Sequence, residues 1–386
     1  MDSDAIIFSF FLIFTGAALL STFALYLRQP LLVAYILIGI LLGPYSLGWV
    51  SDLALLADIA EFGIIFLLFL LGLDMQPAKL LATLRKTFLV TMTSALVFTL
   101  LGFGTGLLFR LGLVESLVVG AAMISSSTII GIKLLPTTVL HQKHMGELMV
   151  GILLLQDIIA IFLLIFLDLE GTGNYEVLRS LLGFPILGAV AYLLTQHVLL
   201  RLLARFDHFK EYIFLLAIGW CLGLATVANA IGLSAEIGAF VAGVALATSP
   251  ISQYIAFSLK PLRDFFLILF FFSLGAQFNL NLLGAVILPA LLLAVLALTL
   301  KPVVFRYLLL RFSERDSLAW DAGLRLGNIS EFSLLIAFVA TQSGIISEIA
   351  SLVIQAAAII TFVASSYVVV MYCPTPIASN EKLRRD

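Results

Sequence analysis

The chain has 386 residues, of which 62% are hydrophobic and only 11% charged, with a formal net charge of -2. Soluble domains carry about 25% charged residues, so the polar surface of one is lacking, and no basic excess points to nucleic acid. Two cysteines, Cys221 and Cys373, exclude a disulfide scaffold and a cysteine-rich metal site. Long continuous apolar runs, without the alternation of a β-barrel, leave an all-α polytopic membrane protein.

A spanning helix needs about 20 mostly apolar residues, and about thirteen such stretches follow one another. They lie near 6–26, 31–48, 59–74, 88–109, 114–135, 148–167, 180–203, 212–230, 234–249, 264–278, 284–309, 317–343 and 349–371. The connections are short, so 1–371 reads as one transmembrane domain followed by a cytosolic tail, 372–386. The positive-inside rule tests this count. Arg28, Lys79, Arg85, Lys86, Lys133, Lys143, Arg201, Arg205, Lys210, Lys260, Arg263, Arg306, Arg311, Arg315 and the tail charges all fall on one side. Arg110 and Arg179 fall on the other, among Asp52, Asp58, Asp168, Glu170, Glu176 and Glu348. The basic side is expected in the cytoplasm with the C-terminus, and the N-terminus outside. Lys301 and Arg325 fall within spans.

The fifth span carries Ser125-Ser126-Ser127-Thr128 at its middle. Four successive hydroxyl residues cannot share one helix face, and they compete with helix geometry by bonding locally to the backbone. The stretch reads either as a broken helix whose freed oxygens bind a cation or as a tightly packed hydroxyl-rich helix. The sixth span holds Gln156-Asp157 between apolar runs. A central acid costs about 2.5–3.5 kcal/mol or more to insert, so Asp157 reads as a carboxylate that binds a proton or a cation. The structural alternative pairs it with Lys301 or Arg325. Lys301, beside Pro302 in the eleventh span, is too deep to reach the surface without strain. It is expected to neutralise Asp157 or to satisfy carbonyls freed by a helix break. In the twelfth span Asp321 and Arg325 are four apart and pair along the helix. The polar interruption Gly327-Asn328-Ile329-Ser330-Glu331 follows, with Glu331 placed to offset a buried base or tune the site.

The two halves, about 1–167 and 212–371, resemble each other at a shift of about 203 residues, with 180–203 as linker. Leu71 to Gln76 matches Leu274 to Asn279, Gly39 matches Gly243 one residue off, and Ser126-Ser127 matches Ile329-Ser330. The shift spans seven helices, an odd number, so the halves are expected to cross in opposite directions, as inverted repeats of secondary transporters do. Two matched interruptions are the sequence sign of a transporter site. Ile360 stands opposite Asp157, so one half supplies the titrating group. Other motifs read as bland. His141, His144 and Glu147 are loop residues, Gly102-x-Gly104-x-Gly106 opens no phosphate site, and Gly39-x-x-x-Gly43 and Gly219-x-x-x-Gly223 are helix contacts. No Gly-x-x-x-x-Gly-Lys-Ser/Thr loop is present to drive an ATP-powered pump.

Five ordered stretches carry a family resemblance: Ala60-Glu61-Phe62-Gly63 to Gly72-Leu73-Asp74, Ser125 to Thr128, Leu155-Gln156-Asp157, Gly238 to Gly243, and Ser330-Glu331-Phe332-Ser333. The chain resembles the monovalent cation:proton antiporter superfamily, second branch, and is most similar to Kef-type potassium/proton antiporters. The resemblance implies a sodium/proton antiporter-like fold of thirteen helices, with a core and a dimerisation domain, a homodimer and an elevator-like alternation of access. It implies Asp157 as the ion- and proton-carrying aspartate. Gln156 before it, in place of a second acid, favours potassium and one-for-one exchange. Kef-type chains usually continue into a cytosolic nucleotide-binding regulatory domain, so a chain ending at Asp386 is expected to be truncated or regulated by another subunit. No cofactor is expected in the chain itself, and no enzymatic activity. A sodium/proton antiporter is the alternative within the class, and a cation channel the alternative outside it.

Overall fold

The computed structural model describes residues 3–27, 29–50, 53–74, 77–128, 131, 144–169, 174–206, 208–249, 251–312 and 314–373. Among them every regular element is helical, as a chain that must satisfy its backbone inside hydrocarbon requires. The helices are α1 (Ser3–Tyr26), α2 (Leu31–Leu42), α3 (Leu53–Asp74), α4 (Pro77–Leu108), α5 (Leu113–Ala122), α6 (His144–Leu169) and α7 (Asn174–Leu194). A π-helical turn, Thr195–Leu199, joins α7 to α8 (Leu200–Arg205). Then come α9 (Lys210–Ala230), α10 (Ala235–Ala247), α11 (Ile251–Ala276), α12 (Leu283–Arg311), α13 (Asp316–Leu326), α14 (Glu331–Gln342) and α15 (Glu348–Tyr372).

Each of the thirteen expected spans carries helix. Among the described residues, seven stretches are long and apolar enough to cross a membrane, and several shorter apolar helices lie between them. Two spans differ from a continuous helix. The fifth stops as α5 at Ala122, and the twelfth is split into α13 and α14. Several helices begin earlier than their apolar cores, most of all α4 at Pro77 and α11 at Ile251. The first half of α11 carries Lys260 and Arg263, which lower the hydropathy without stopping the helix, because both are good helix formers.

Four helices cross where glycine removes the Cβ. In α2, a Cβ on Gly39 would overlap the Phe272 carbonyl of α11, and one on Gly275 of α11 would overlap the Ile36 carbonyl of α2. In α3, a Cβ on Gly72 would press on the Phe240 carbonyl of α10, and one on Gly243 of α10 would overlap the Phe69 carbonyl of α3. Gly39 and Gly243 are repeat equivalents, as are Gly72 and Gly275, so the same crossing is built twice from matched residues. Close backbone approach is how helices associate where lipid offers no hydrophobic drive. Gly102 and Gly106 likewise seat α4 against Gly120 and Ser116 of α5, while Gly104 faces open space.

Buried apolar side chains form three groups. The largest runs through α4, α5, α6, α12, α13, α14 and α15, and takes in the ends of α2, α3 and α11. A second joins α3, α7, α8, α9, α10 and the first half of α11, and a third joins α1, α2 and the second half of α11. The two interrupted spans belong to the largest group.

Candidate functional site

Both interruptions lie where a helix ends deep in the protein. Residues 123–127 follow α5 and residues 327–330 separate α13 from α14, and the described side chains of both are almost wholly buried. A helix end leaves carbonyls without intrahelical partners, and in an apolar interior each must find a donor. The two breaks supply them to each other. The Ser126 hydroxyl donates to the Leu326 carbonyl at the end of α13 at 2.8 Å, and the Ser333 hydroxyl donates to the Ala122 carbonyl at the end of α5. The Ser127 N–H donates to Asn328 Oδ1 at 2.6 Å, while Asn328 Nδ2 donates back to the Arg325 carbonyl at 2.9 Å. Ser330 caps α14, its hydroxyl accepting from the Phe332 N–H at 3.1 Å.

Lys301 fastens the crossing. Its Nζ donates to the Ser125 carbonyl at 3.0 Å and the Asn328 carbonyl at 2.7 Å. These two carbonyls are themselves equivalents at the shift of about 203 residues, so the ammonium bridges the same point of both halves. It lies 5.0 Å from the centre of the Phe98 ring and is wholly buried. A cation at the negative ends of two helix dipoles is favourably placed, and the ring face adds to that. Lys301 therefore satisfies freed carbonyls. Its depth is set by Pro302, against which Gly323 and Gly327 bring α13 with no room for a Cβ. Arg325 is also fully buried, and its Nε donates to Asp321 Oδ1 at 3.0 Å, the pairing expected along the helix.

The sixth span brings its acid to this crossing. Gln156 Oε1 accepts from the Ser126 N–H at 3.0 Å, tying the middle of α6 to the first break. The second break is tied to α15 in a matching way, the Ile329 N–H donating to Thr361 Oγ1 at 3.1 Å. Asp157, next to Gln156, is 2% exposed, and its Oδ1 has no hydrogen-bond partner among the described residues. The same is true of Gln156 Nε2 and the Ser125 hydroxyl. Asp157 makes no ion pair with Lys301 or Arg325 among the described residues. Among the described residues, Glu331 at the start of α14 acts on it as a like charge. Two carboxyls that act on one space make it costly to leave that space without a positive guest. Thr128 is partly exposed, at the far end of the first break.

The structure thus brings together Ser125, Ser126, Ser127, Asn328 and Lys301 through hydrogen bonds, and Asp157 and Gln156 through α6, while Ser330 is buried in the second break and caps α14. The Arg325 side chain pairs with Asp321, while its carbonyl accepts from Asn328. Sequence reasoning passed over Thr361, although it is the polar residue in the stretch opposite Asp157. It also passed over Phe98, an unremarkable position among 31 phenylalanines. Of the bland motifs, His141 and the side chains of His144 and Glu147 lie outside the described residues, as does the side chain of Asp74.

Comparison with known proteins gives concordant matches. The family model described as sodium/hydrogen exchanger, transmembrane, matches residues 10–372. K(+) efflux antiporter 5 of Arabidopsis thaliana is 30% identical over 325 residues, 80% of this chain and 56% of that protein. The protein named iron transporter MagA, of Paramagnetospirillum magneticum, is 29% identical over 351 residues, 88% of this chain and 80% of that protein. The chain spans little more than half the length of the Arabidopsis relatives it matches. The solved structure of the sodium proton antiporter MjNhaP1 from Methanocaldococcus jannaschii at pH 8 superposes with a TM-score of 0.69, at 16% identity, over 95% of each chain.

Proposed function

The chain belongs to the sodium/hydrogen exchanger, transmembrane family, and from that premise we propose that it is a secondary-active monovalent cation/proton antiporter, with potassium as the cation. The observation that carries this reading is Asp157: a buried carboxyl whose Oδ1 lacks a hydrogen-bond partner, beside two crossed helix breaks. A bare carboxylate in a low-dielectric interior is expensive, so the site favours a proton or a cation on Asp157. Both cannot be held by one carboxyl, and binding of either displaces the other. Only the neutralised site then crosses between the two faces of the membrane, because an empty charged one is held back by the cost of desolvation. Exchange follows one for one, without ATP. Gln156 Nε2 and the Ser125 hydroxyl are likewise buried without a hydrogen-bond partner among the described residues, and a hydroxyl oxygen is a neutral ligand suited to a monovalent ion.

Potassium is supported by the relatives named K(+) efflux antiporters and by Gln156 standing where a second acid would add charge. Sodium is the second reading, favoured by the fold shared with a protein titled a sodium proton antiporter. Alternation by an elevator-like movement in a homodimer, control by a cytosolic domain or subunit, and location in the inner or plasma membrane with the C-terminus in the cytoplasm belong to the same proposal. The test is full-length protein in sealed vesicles with an imposed pH gradient. Adding potassium to one side should dissipate the gradient, sodium should do so more weakly, and Asp157→Asn should do neither. Equal proton flux in the variant, or a voltage-driven potassium current without proton movement, would overturn the reading.

A further inference from the structure

The shift of about 203 residues carries α4, Pro77–Leu108, onto Leu280–Arg311, which is α12 with the short turn before it. The two helices pack against each other, so each half contributes one of them to a shared contact. Their glycine seats match in space as well. A Cβ on Gly120 of α5 would overlap the Thr99 carbonyl of α4. One on its equivalent, Gly323 of α13, would overlap the Pro302 carbonyl of α12, itself the equivalent of Thr99. Gly219 and Gly223, expected from sequence to make a contact of this kind, do not: a Cβ at either would meet nothing within 4 Å. The residues just before the two seated carbonyls are therefore equivalents too, Phe98 in the first half and Lys301 in the second.

These two side chains meet. The Lys301 ammonium lies over the Phe98 ring, 5.0 Å from its centre. An ammonium has three donors. Two reach the Ser125 and Asn328 carbonyls, at 3.0 and 2.7 Å, and among the described residues the third is left to the ring. Phe98 is itself held in place. Phe305, one turn beyond Lys301 on α12, meets its ring in a T-shaped contact at 5.3 Å, and both rings are wholly buried. The ammonium is thus held by one carbonyl from each half and by a ring from the position that mirrors its own.

We propose that Phe98 is a positioning residue for exchange: its ring completes the surroundings of the Lys301 ammonium and so keeps both helix breaks fastened at the crossing. The site takes one amine and one ring, one from each half. A second lysine at 98 would set two ammoniums over a single pair of carbonyls, a repulsion that a low-dielectric interior magnifies. A phenyl ring offers a negative face without a net charge, and its hold on a cation strengthens where water is excluded. By the same symmetry an amine at 98 reaches the same two carbonyls, so amine and ring can trade halves. The assignment rests on the proposed exchange only for its link to transport.

The test keeps the shape of the ring and drains its face of charge. Full-length protein carrying 4-fluoro-, 3,5-difluoro- or 3,4,5-trifluorophenylalanine at position 98 is followed by thermal unfolding and by potassium-driven proton flux in vesicles. The melting temperature and the maximal rate should fall stepwise with each added fluorine. The half-saturating potassium concentration should stay constant, because Asp157 is untouched. A melting temperature that is flat across the series would overturn the assignment, since a ring that merely fills space is indifferent to fluorine. So would a rising half-saturating concentration at constant maximal rate, which would mean that the ring acts on the transported ion. A second set of variants trades the partners. Phe98→Lys and Lys301→Phe should each lower the melting temperature, and the two together should recover most of the loss. A double variant no more stable than Lys301→Phe alone would also overturn the assignment. Unfolding is read without transport, so its outcome is independent of whether the cation exchanges for a proton.

Discussion

Asp157 and Lys301 are opposite charges buried at one crossing, and among the described residues they do not pair. Lys301 is engaged by two carbonyls and a phenyl ring, whereas Asp157 Oδ1 has no hydrogen-bond partner among the described residues. The lysine therefore holds the scaffold, the aspartate is the group proposed to carry the ion, and their variants should fail differently. Asp157→Asn keeps the shape and removes the charge. Its expected cost is ~3 kcal/mol or more of cation binding, about a hundredfold, with the melting temperature in detergent little changed; flux and thermal unfolding on the same preparation check both halves. Lys301→Met leaves two buried carbonyls without a donor, each worth about 1–3 kcal/mol. It should lower the melting temperature markedly, and rescue of stability without rescue of exchange by a bound stabilising lipid would show that the lysine also takes part in transport.

At the scale of elements, the two breaks are coupled because each donates a hydroxyl to the other's helix end. Ser126→Ala and Ser333→Ala should each destabilise by about 1–3 kcal/mol, as a buried carbonyl is left unsatisfied. Measured together, they should depart from additivity by about 0.5 kcal/mol or more if the crossing opens as a unit; strict additivity in thermal or denaturant unfolding would mean that the two bonds act independently. The glycine crossings make a sharper contrast. Gly243→Ala and Gly275→Ala would drive a methyl into a carbonyl of the facing helix. Overpacking of this kind costs about 1–3 kcal/mol, occasionally more, and should appear as lost expression or a lowered melting temperature. Gly104→Ala, facing open space in α4, should be neutral or stabilise by up to about 1 kcal/mol.

At the scale of the whole molecule, the proposed one-for-one exchange makes a statement about voltage. If one proton leaves as one cation enters, no net charge crosses, and an imposed membrane potential should not change the rate. Vesicles clamped at two potentials, with the same potassium and pH gradients, should dissipate the pH gradient at equal rates. A rate that rises severalfold with potential would mean an unequal stoichiometry, because each elementary charge carries about 2.3 kcal/mol per 100 mV.

Much of this was open to reading along the chain. Continuous apolar runs of about 20 residues can be satisfied in lipid in few ways other than as helices, so the spans, the acid at Asp157 and the polar interruptions at Ser125–Thr128 and Gly327–Glu331 stand out locally. The repeat was legible because matched glycines recur at nearly one shift. What partners a buried group finds was not legible, since it depends on residues about 30 to 200 positions away in the chain. Folding alone decided that Lys301 turns to two equivalent carbonyls rather than to Asp157. It likewise decided that Thr361 serves the second break. Periodicity and hydropathy are properties of neighbours in sequence, whereas the satisfaction of a buried charge is a property of neighbours in space.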